Sequence, residues 1–430
     1  MTTQEVTKTF SSAVTEPSET SSVPPWCAHG MEAGILAALA AATFQSFFSE
    51  ITIFLGAALT TAAAVLWFLH AAYLGRLPLL PGRALWLLVV LLGAGAVLSA
   101  ARMNADATHP LLLIAMCILT FLVISGGFTE HQVTRYLGFL GLLGITHVVS
   151  ALLKTRMETN GGADWTIRVL FESHWSLTAF LALSLLGIGT VATHAATENA
   201  LDRDPRSMHS RVAWFSSPGV QMAVLGGATM SVVLLFLYLL PSLWALPLCS
   251  LLVTGWAVTL VARGKMPLYV AAIGILLVLA LNTLSMGRPS GERLLFTTEV
   301  FNSNVTRLRQ ASAARATEGT GTAPAPKNVF PDWSGDNFEL KGLMRNRVGR
   351  ITAIFLGLFC LLALGLAARG MIRFEGPESI LATGAFFGLV GLVVFSALGP
   401  CLRHPAVGLA GAGLLAIAAA EGSFDREVEI

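Results

Sequence analysis

Gly219-Val-Gln-Met-Ala-Val-Leu-Gly-Gly-Ala-Thr-Met-Ser-Val-Val-Leu-Leu-Phe-Leu-Tyr-Leu-Leu240 runs for twenty-two residues without a charge. A bilayer core about 30 Å thick needs roughly 20 apolar residues in a helix, and this stretch supplies them. Pro241-Ser-Leu-Trp-Ala-Leu-Pro247 follows, and a second apolar run then continues to residue 262. Proline cannot continue a helix without losing a hydrogen bond. The segment therefore reads as a hairpin of two spans, with Trp244 at the bend, where aromatic rings prefer the bilayer surface.

Outward from this hairpin, comparable runs lie near 33–49, 51–73, 83–101, 109–127, 136–153, 174–196, 266–285, 350–369, 378–397 and 404–420. Prolines collect between them, at Pro78, Pro81, Pro110, Pro218, Pro267, Pro400 and Pro405. The fold expected is all-α: a polytopic transmembrane helical bundle of about twelve spans, with a range of ten to twelve. The first run is crowded by Gln45, Ser46, Ser49 and Glu50, and the last is rich in Gly and Ala.

Composition agrees. Charged residues make up only 12% and hydrophobic types 54%, with mean hydropathy +0.70. A water-soluble domain carries about a quarter charged residues to wet its surface, so most of this surface faces lipid. The expected partners are the bilayer and other membrane protein subunits. A net charge of +2 offers no footprint for nucleic acid.

The expected layout has five parts. Residues 1–31 form a Ser/Thr/Glu/Pro-rich disordered tail, without the basic start and apolar core of a signal peptide. Residues 32–285 hold about nine spans, 286–349 form a hydrophilic insert, 350–420 hold about three more, and 421–430 are a short polar tail. The middle of the insert, Ala311 to Lys327, reads as flexible linker. That leaves too little chain for a large soluble catalytic domain.

Basic residues in short loops orient such a protein. Ten lie on the N-terminal side and five opposite, which places both termini in the cytoplasm and the chain in the cell membrane. Six further basic residues flank the insert and bring the balance to ten against eleven.

The centres of the clearest spans contain no Asp, Glu, Lys or Arg, which argues against ion-coupled transport. His147 shares a helix face with Gly144 and Ser150, as in a helix-packing seam. Packing outweighs a role as ligand or proton relay. Asn282 is placed to hydrogen-bond across helices. Gly384-Ala-Phe-Phe-Gly388 is a Gly-x-x-x-Gly helix-contact motif, although such spacing is frequent among 41 glycines. It is read as internal packing before a subunit interface. The five cysteines, Cys27, Cys117, Cys249, Cys360 and Cys401, are scattered and read as apolar fillers. Neither Cys117 nor Cys360 has anything to bring it to His147 as a nucleophile–base pair. Catalytic, phosphate-binding, dinucleotide and zinc motifs are absent from the sequence, so no catalytic, cofactor or metal residues are expected.

Two close apolar runs, then Leu74-Gly-Arg-Leu-Pro-Leu-Leu-Pro-Gly-Arg83, then a tight series of spans closing in Leu235-Phe-Leu-Tyr-Leu-Leu-Pro241, form a recognisable layout. In it, residues 35–245 resemble the membrane-embedded N-terminal region of TgpA-type transglutaminase-like proteins. The resemblance implies a membrane region followed by an extracytoplasmic domain with a Cys/His/Asp triad. Here more spans follow instead, so the resemblance implies a scaffold without the enzyme.

The function expected is that of a non-catalytic membrane scaffold or assembly subunit of the cell envelope. A transporter or channel for a neutral or lipid-like substrate is the alternative, and an intramembrane enzyme the third reading.

Overall fold

The computed structural model describes residues 25–43, 49–73, 108–159, 174–201, 218–239, 245–286, 361–372, 376, 378–398, 401 and 404–419. Among them it is all-helical, with eleven helices. These are α1 (Pro25–Thr43), α2 (Ser49–Tyr73), α3 (Thr108–Gly127), α4 (Glu130–Thr159), α5 (His174–Leu201), α6 (Pro218–Leu239), α7 (Ala245–Ala262), α8 (Leu268–Met286), α9 (Leu361–Ile372), α10 (Glu378–Leu398) and α11 (Pro405–Ala419).

Five of these are long and apolar enough to cross a membrane, over Thr52–Tyr73, Glu130–Ser150, Ser176–Thr197, Ala245–Ala262 and Glu378–Ser396. α3, α6, α8, α9 and α11 supply shorter apolar stretches, and α1, which carries His29 and Glu32, belongs to neither group. Five is fewer than the twelve spans expected. The run 83–101, the first half of 350–369, the insert 286–349 beyond Met286 and the tail up to residue 24 lie outside the described residues.

Two boundaries differ from the sequence expectation in a way that matters below. α1 begins at Pro25, inside the stretch assigned to the tail. Proline is suited to a first helical turn, where its missing N–H is not needed. α4 begins at Glu130, six residues before its apolar run. Thr129 and Gln132 form a capping box there: the Thr129 backbone N–H donates to Gln132 Oε1 at 2.9 Å. At the other extreme, α7 ends where expected. Gly264 adopts φ 68°, Lys265 N–H donates to Leu260 O and Gly264 N–H to Val261 O, both at 2.9 Å. This is a Schellman stop.

Close contacts fix the helix directions. Gly30 meets Leu66 and Gly34 meets Ala63, so α1 and α2 are antiparallel. Gly56 meets Met116 and Gly126 meets Trp67, so α2 and α3 are parallel. Gly144 meets Ser184 and Gly187 meets the Leu137 carbonyl, so α4 and α5 are antiparallel. The pairs Gly189–Met230 and Gly226–Ala192 give the same sense for α5 and α6, and Gly255–Phe387 and Gly391–Leu252 for α7 and α10. Gly388–Leu414 and Gly411–Leu392 do so for α10 and α11.

One consistent arrangement follows. The starts of α1, α4, α6, α8 and α10 share one end of the bundle with the finishes of α2, α3, α5, α7 and α11. Arg263, just beyond α7, donates to the Ile372 carbonyl at 3.1 Å, which brings the finish of α9 to that end too.

α5 is the axis. It packs against α4, α6, α7, α10 and α11, and 83% of its apolar window is buried, against 39% for α2. α11 lies beside it and reaches α1, α3 and α10 as well.

Candidate functional site

The start of α4 gathers polar groups, side-chain or backbone, from three other helices. The capping box positions Gln132, whose amide Nε2 donates to the Ala28 carbonyl of α1 at 3.2 Å. One turn on, Arg135 forms an ion pair with Glu32 of α1 at 3.2 Å. The Glu32 side chain is only 7% exposed, whereas that of Arg135 is 55% exposed. A carboxylate this deep in an apolar bundle needs a counter-charge, and the long arginine supplies it while keeping part of its stem at the surface.

Glu130 faces α5. Its Oε1 lies 2.6 Å from His194 Nε2, a separation at which the ring nitrogen donates to the carboxylate. His194 is buried and Glu130 is partly open. Tyr136 completes the group: its hydroxyl donates to the Leu409 carbonyl of α11 at 3.1 Å. Gly413 makes this possible, since a Cβ there would collide with Tyr136 Oη. Side chains on a helix lean toward its N-terminus, so the residue four positions on covers a given carbonyl, and here that residue is bare.

Two chemistries are open to this junction. A carboxylate bonded to an imidazole is an acid–base pair that holds or passes one proton. The same bonds, with those of Gln132, Arg135 and Tyr136, tie α4 to α1, α5 and α11.

The residues singled out from sequence lie elsewhere. His147 is buried on the α4–α5 seam, with its ring edge-to-face on Phe180 (centroids 5.6 Å apart, 84°). Gly144 of the same face meets Ser184. Asn282 of α8 donates to Ser250 Oγ of α7 at 2.7 Å and to the Val278 carbonyl at 2.8 Å. Gly384 and Gly388 both face neighbours within this chain. A Cβ on Gly384 would strike Thr190 of α5, and one on Gly388 would come 2.6 Å from Leu414 of α11. His147 and Asn282 thus belong to different helix pairs and are not brought together.

Glu32, Glu130, Arg135 and His194 were not singled out, because a search for charge within apolar runs starts each helix where hydropathy rises. The signal that would have found two of them, Glu130 and Arg135, is local: Thr129-Glu-His-Gln132 starts a helix six residues earlier. Among the described residues, no three His, Cys, Asp or Glu side chains group as a metal site.

Compared with known proteins, the chain matches no family model, no curated protein and no solved structure.

Proposed function

We propose that the chain is a multi-pass integral membrane protein that acts as a scaffold or assembly subunit of the cell envelope. The distribution of polarity carries this reading. Leu225, Leu235, Leu251, Leu268, Ile273 and Leu276 point outward from the bundle. Asn282, Tyr136, Glu130, His194, Glu32 and Arg135 instead bond to other helices of the same chain. Such an arrangement suits a lipid solvent, where polar groups must find partners inside. Polar groups spent on joining helices also suit a scaffold better than a reaction centre.

The helix directions support both termini lying on one side, the cytoplasm by the basic-residue count, with the insert 286–349 opposite. A span over 83–101 and a full-length one ending in α9 would bring the total to twelve. The TgpA-type layout fits the same reading, as a membrane region that lacks the catalytic domain.

The test is purification from native membranes in mild detergent after crosslinking. A scaffold brings down a membrane partner in fixed stoichiometry, and the complex resists alkaline extraction. A transporter is the second reading, favoured by the Glu130–His194 acid–base pair. Saturable solute flux in proteoliposomes, lost on His194→Ala in protein that remains monodisperse, would replace the scaffold with it.

A further inference from the structure

The corner of the bundle where α7 and α9 finish and α8 begins carries three cations, Arg263, Lys265 and Arg369. Arg263 is fixed across it, because its Nη2 donates to the Ile372 carbonyl, at the finish of α9, at 3.1 Å. Its other terminal nitrogen, Nη1, is enclosed and has no acceptor among the described residues. The left-handed turn at Gly264 sets Lys265 in the same corner. Arg369 lies about one turn before Ile372 on α9 and is exposed.

Charge in this corner is unbalanced. Among the described residues, neither Arg263 nor Arg369 forms an ion pair. The contacts Gly255–Phe387 and Gly391–Leu252 set the register of α7 against α10, and by it Glu378 is level with Gly264 and Lys265. Glu378 also stands in the first turn of α10, where a carboxylate offsets the helix dipole. One carboxylate against three cations leaves the corner positive. Residues 373–375 and 377 lie outside the described residues, and the site includes none of them.

Large apolar side chains border the cations. Ile372, whose carbonyl holds Arg263, is 69% exposed, and Leu268 and Tyr269 of α8 are 71% and 62% exposed. A free inorganic anion would use only the cations. A phospholipid would use both parts, its phosphate meeting the cations and its acyl chains the apolar border. Arginine suits the first task, because its planar fork matches phosphate oxygens two at a time.

We propose that this corner binds an anionic phospholipid, with the phosphate on Arg263 and Arg369 and the chains along Ile372, Leu268 and Tyr269. Arg263 is partly exposed, so a small rotation of its guanidinium about the bond to Ile372 turns Nη1 outward to a phosphate oxygen. Nη1 then gains the acceptor that its protein neighbours do not give it, and an unpaired buried donor is costly. Basic pockets between membrane helices on the cytoplasmic side hold lipid head groups in this way, and the basic-residue count assigns this end of the bundle to that side. The proposal rests on the membrane reading, not on the choice between scaffold and transporter.

Native mass spectrometry of the full-length protein, stripped of lipid in detergent, tests this. Dioleoyl phosphatidylglycerol is added in one arm, dioleoyl phosphatidylcholine in a second, and inorganic phosphate competes in a third. Phosphatidylglycerol is expected to be retained several-fold better than phosphatidylcholine, and millimolar phosphate should not displace it. Arg263→Gln and Arg369→Gln should each lower that retention several-fold. Lys154→Gln, which removes the same charge at the other end of the bundle, should leave it unchanged. Arg263→Lys keeps the charge without the fork and should fall between. Arg369 bonds to no other helix among the described residues, so its variant still decides the matter should Arg263→Gln disturb α9. Equal retention of the two lipids, or full retention in both glutamine variants, would overturn the proposal. Displacement by phosphate would replace the lipid with a free anion. Alkaline extraction separates the two possible failures: a chain released from membranes fails the membrane reading, and one that stays but does not discriminate between the lipids fails the site alone.

Discussion

α11 and α8 are equally apolar by composition and meet opposite fates. In α11 every residue except Gly408 is buried, whereas α8 exposes Leu268, Tyr269, Ile273, Leu276, Leu279 and Leu284. Side-chain volume separates them. α11 is Pro-Ala-Val-Gly-Leu-Ala-Gly-Ala-Gly-Leu-Leu-Ala-Ile-Ala-Ala419, small enough for Tyr136 of α4 and Leu392 of α10 to close in on Gly413 and Gly411. α8 carries large side chains around most of its surface and touches α7 and α6 along a narrow strip with Ala271, Val278 and Leu281. Where the solvent is as apolar as the side chains, hydrophobicity does not choose which helix goes inside. Close packing does.

The largest expected break in this contrast is Gly413→Ala in α11. The added methyl displaces the Tyr136 ring and leaves its buried hydroxyl unpaired. Overpacking costs about 1–3 kcal/mol and an orphaned polar group about 1–3 kcal/mol. A marked loss of thermal stability in detergent, followed by tryptophan fluorescence, is the expected readout; a wild-type melting curve would mean that α11 is not held as described. The pair Gly413→Ala and Tyr136→Phe separates the two contributions, because the second removes the hydroxyl without the clash.

Next in size is Arg135→Ala, which strands the buried Glu32. Since Arg135 is itself half-exposed, the loss is expected below the ~3–5 kcal/mol of a fully buried pair. Adding Glu32→Gln should restore part of it, and a double-mutant cycle in a denaturant titration measures how much. No recovery in the double variant would show that the two residues are not coupled.

Asn282→Ala acts on the outer helix. It removes the bond to Ser250, and interhelical bonds of this kind average about 0.6 kcal/mol in membrane proteins. Ser250→Ala should cost a similar amount, and the two losses should not add.

The smallest effect, of opposite sign, belongs to Gly274→Ala on α8, where an added Cβ meets nothing within 4 Å. Helix propensity then favours alanine by up to about 1 kcal/mol. Should Gly274→Ala destabilise as Gly413→Ala does, the outer position assigned to α8 would be wrong.

Much of the helix layout was legible in the sequence, to within a few residues at α2, α3, α6, α7 and α10, because proline and glycine mark the stops and apolar length marks the spans. The last run, marginal as a span because it is rich in Gly and Ala, is buried at every residue except Gly408. The small side chains that weaken it as a span are what let its neighbours close around it. The polar junction was missed because it straddles the boundaries: Glu32 and Glu130 sit just outside the apolar runs but inside the helices. His194 lies near the end of its helix and its partner is 64 positions away in the chain, and no local pattern announces such a pairing.

The sequence by itself determined an all-helical chain rich in apolar helices, because backbone hydrogen bonding and apolar length are local properties. Only the tertiary structure decided that α5 and α11 form the interior, that α2 and α3 run parallel, and that Glu32, Glu130, Arg135, Tyr136 and His194 meet around the start of α4. Helices apolar on every side have no sequence-visible inner face. Their positions are set by which pairs of surfaces fit at close range, and that is a property of pairs.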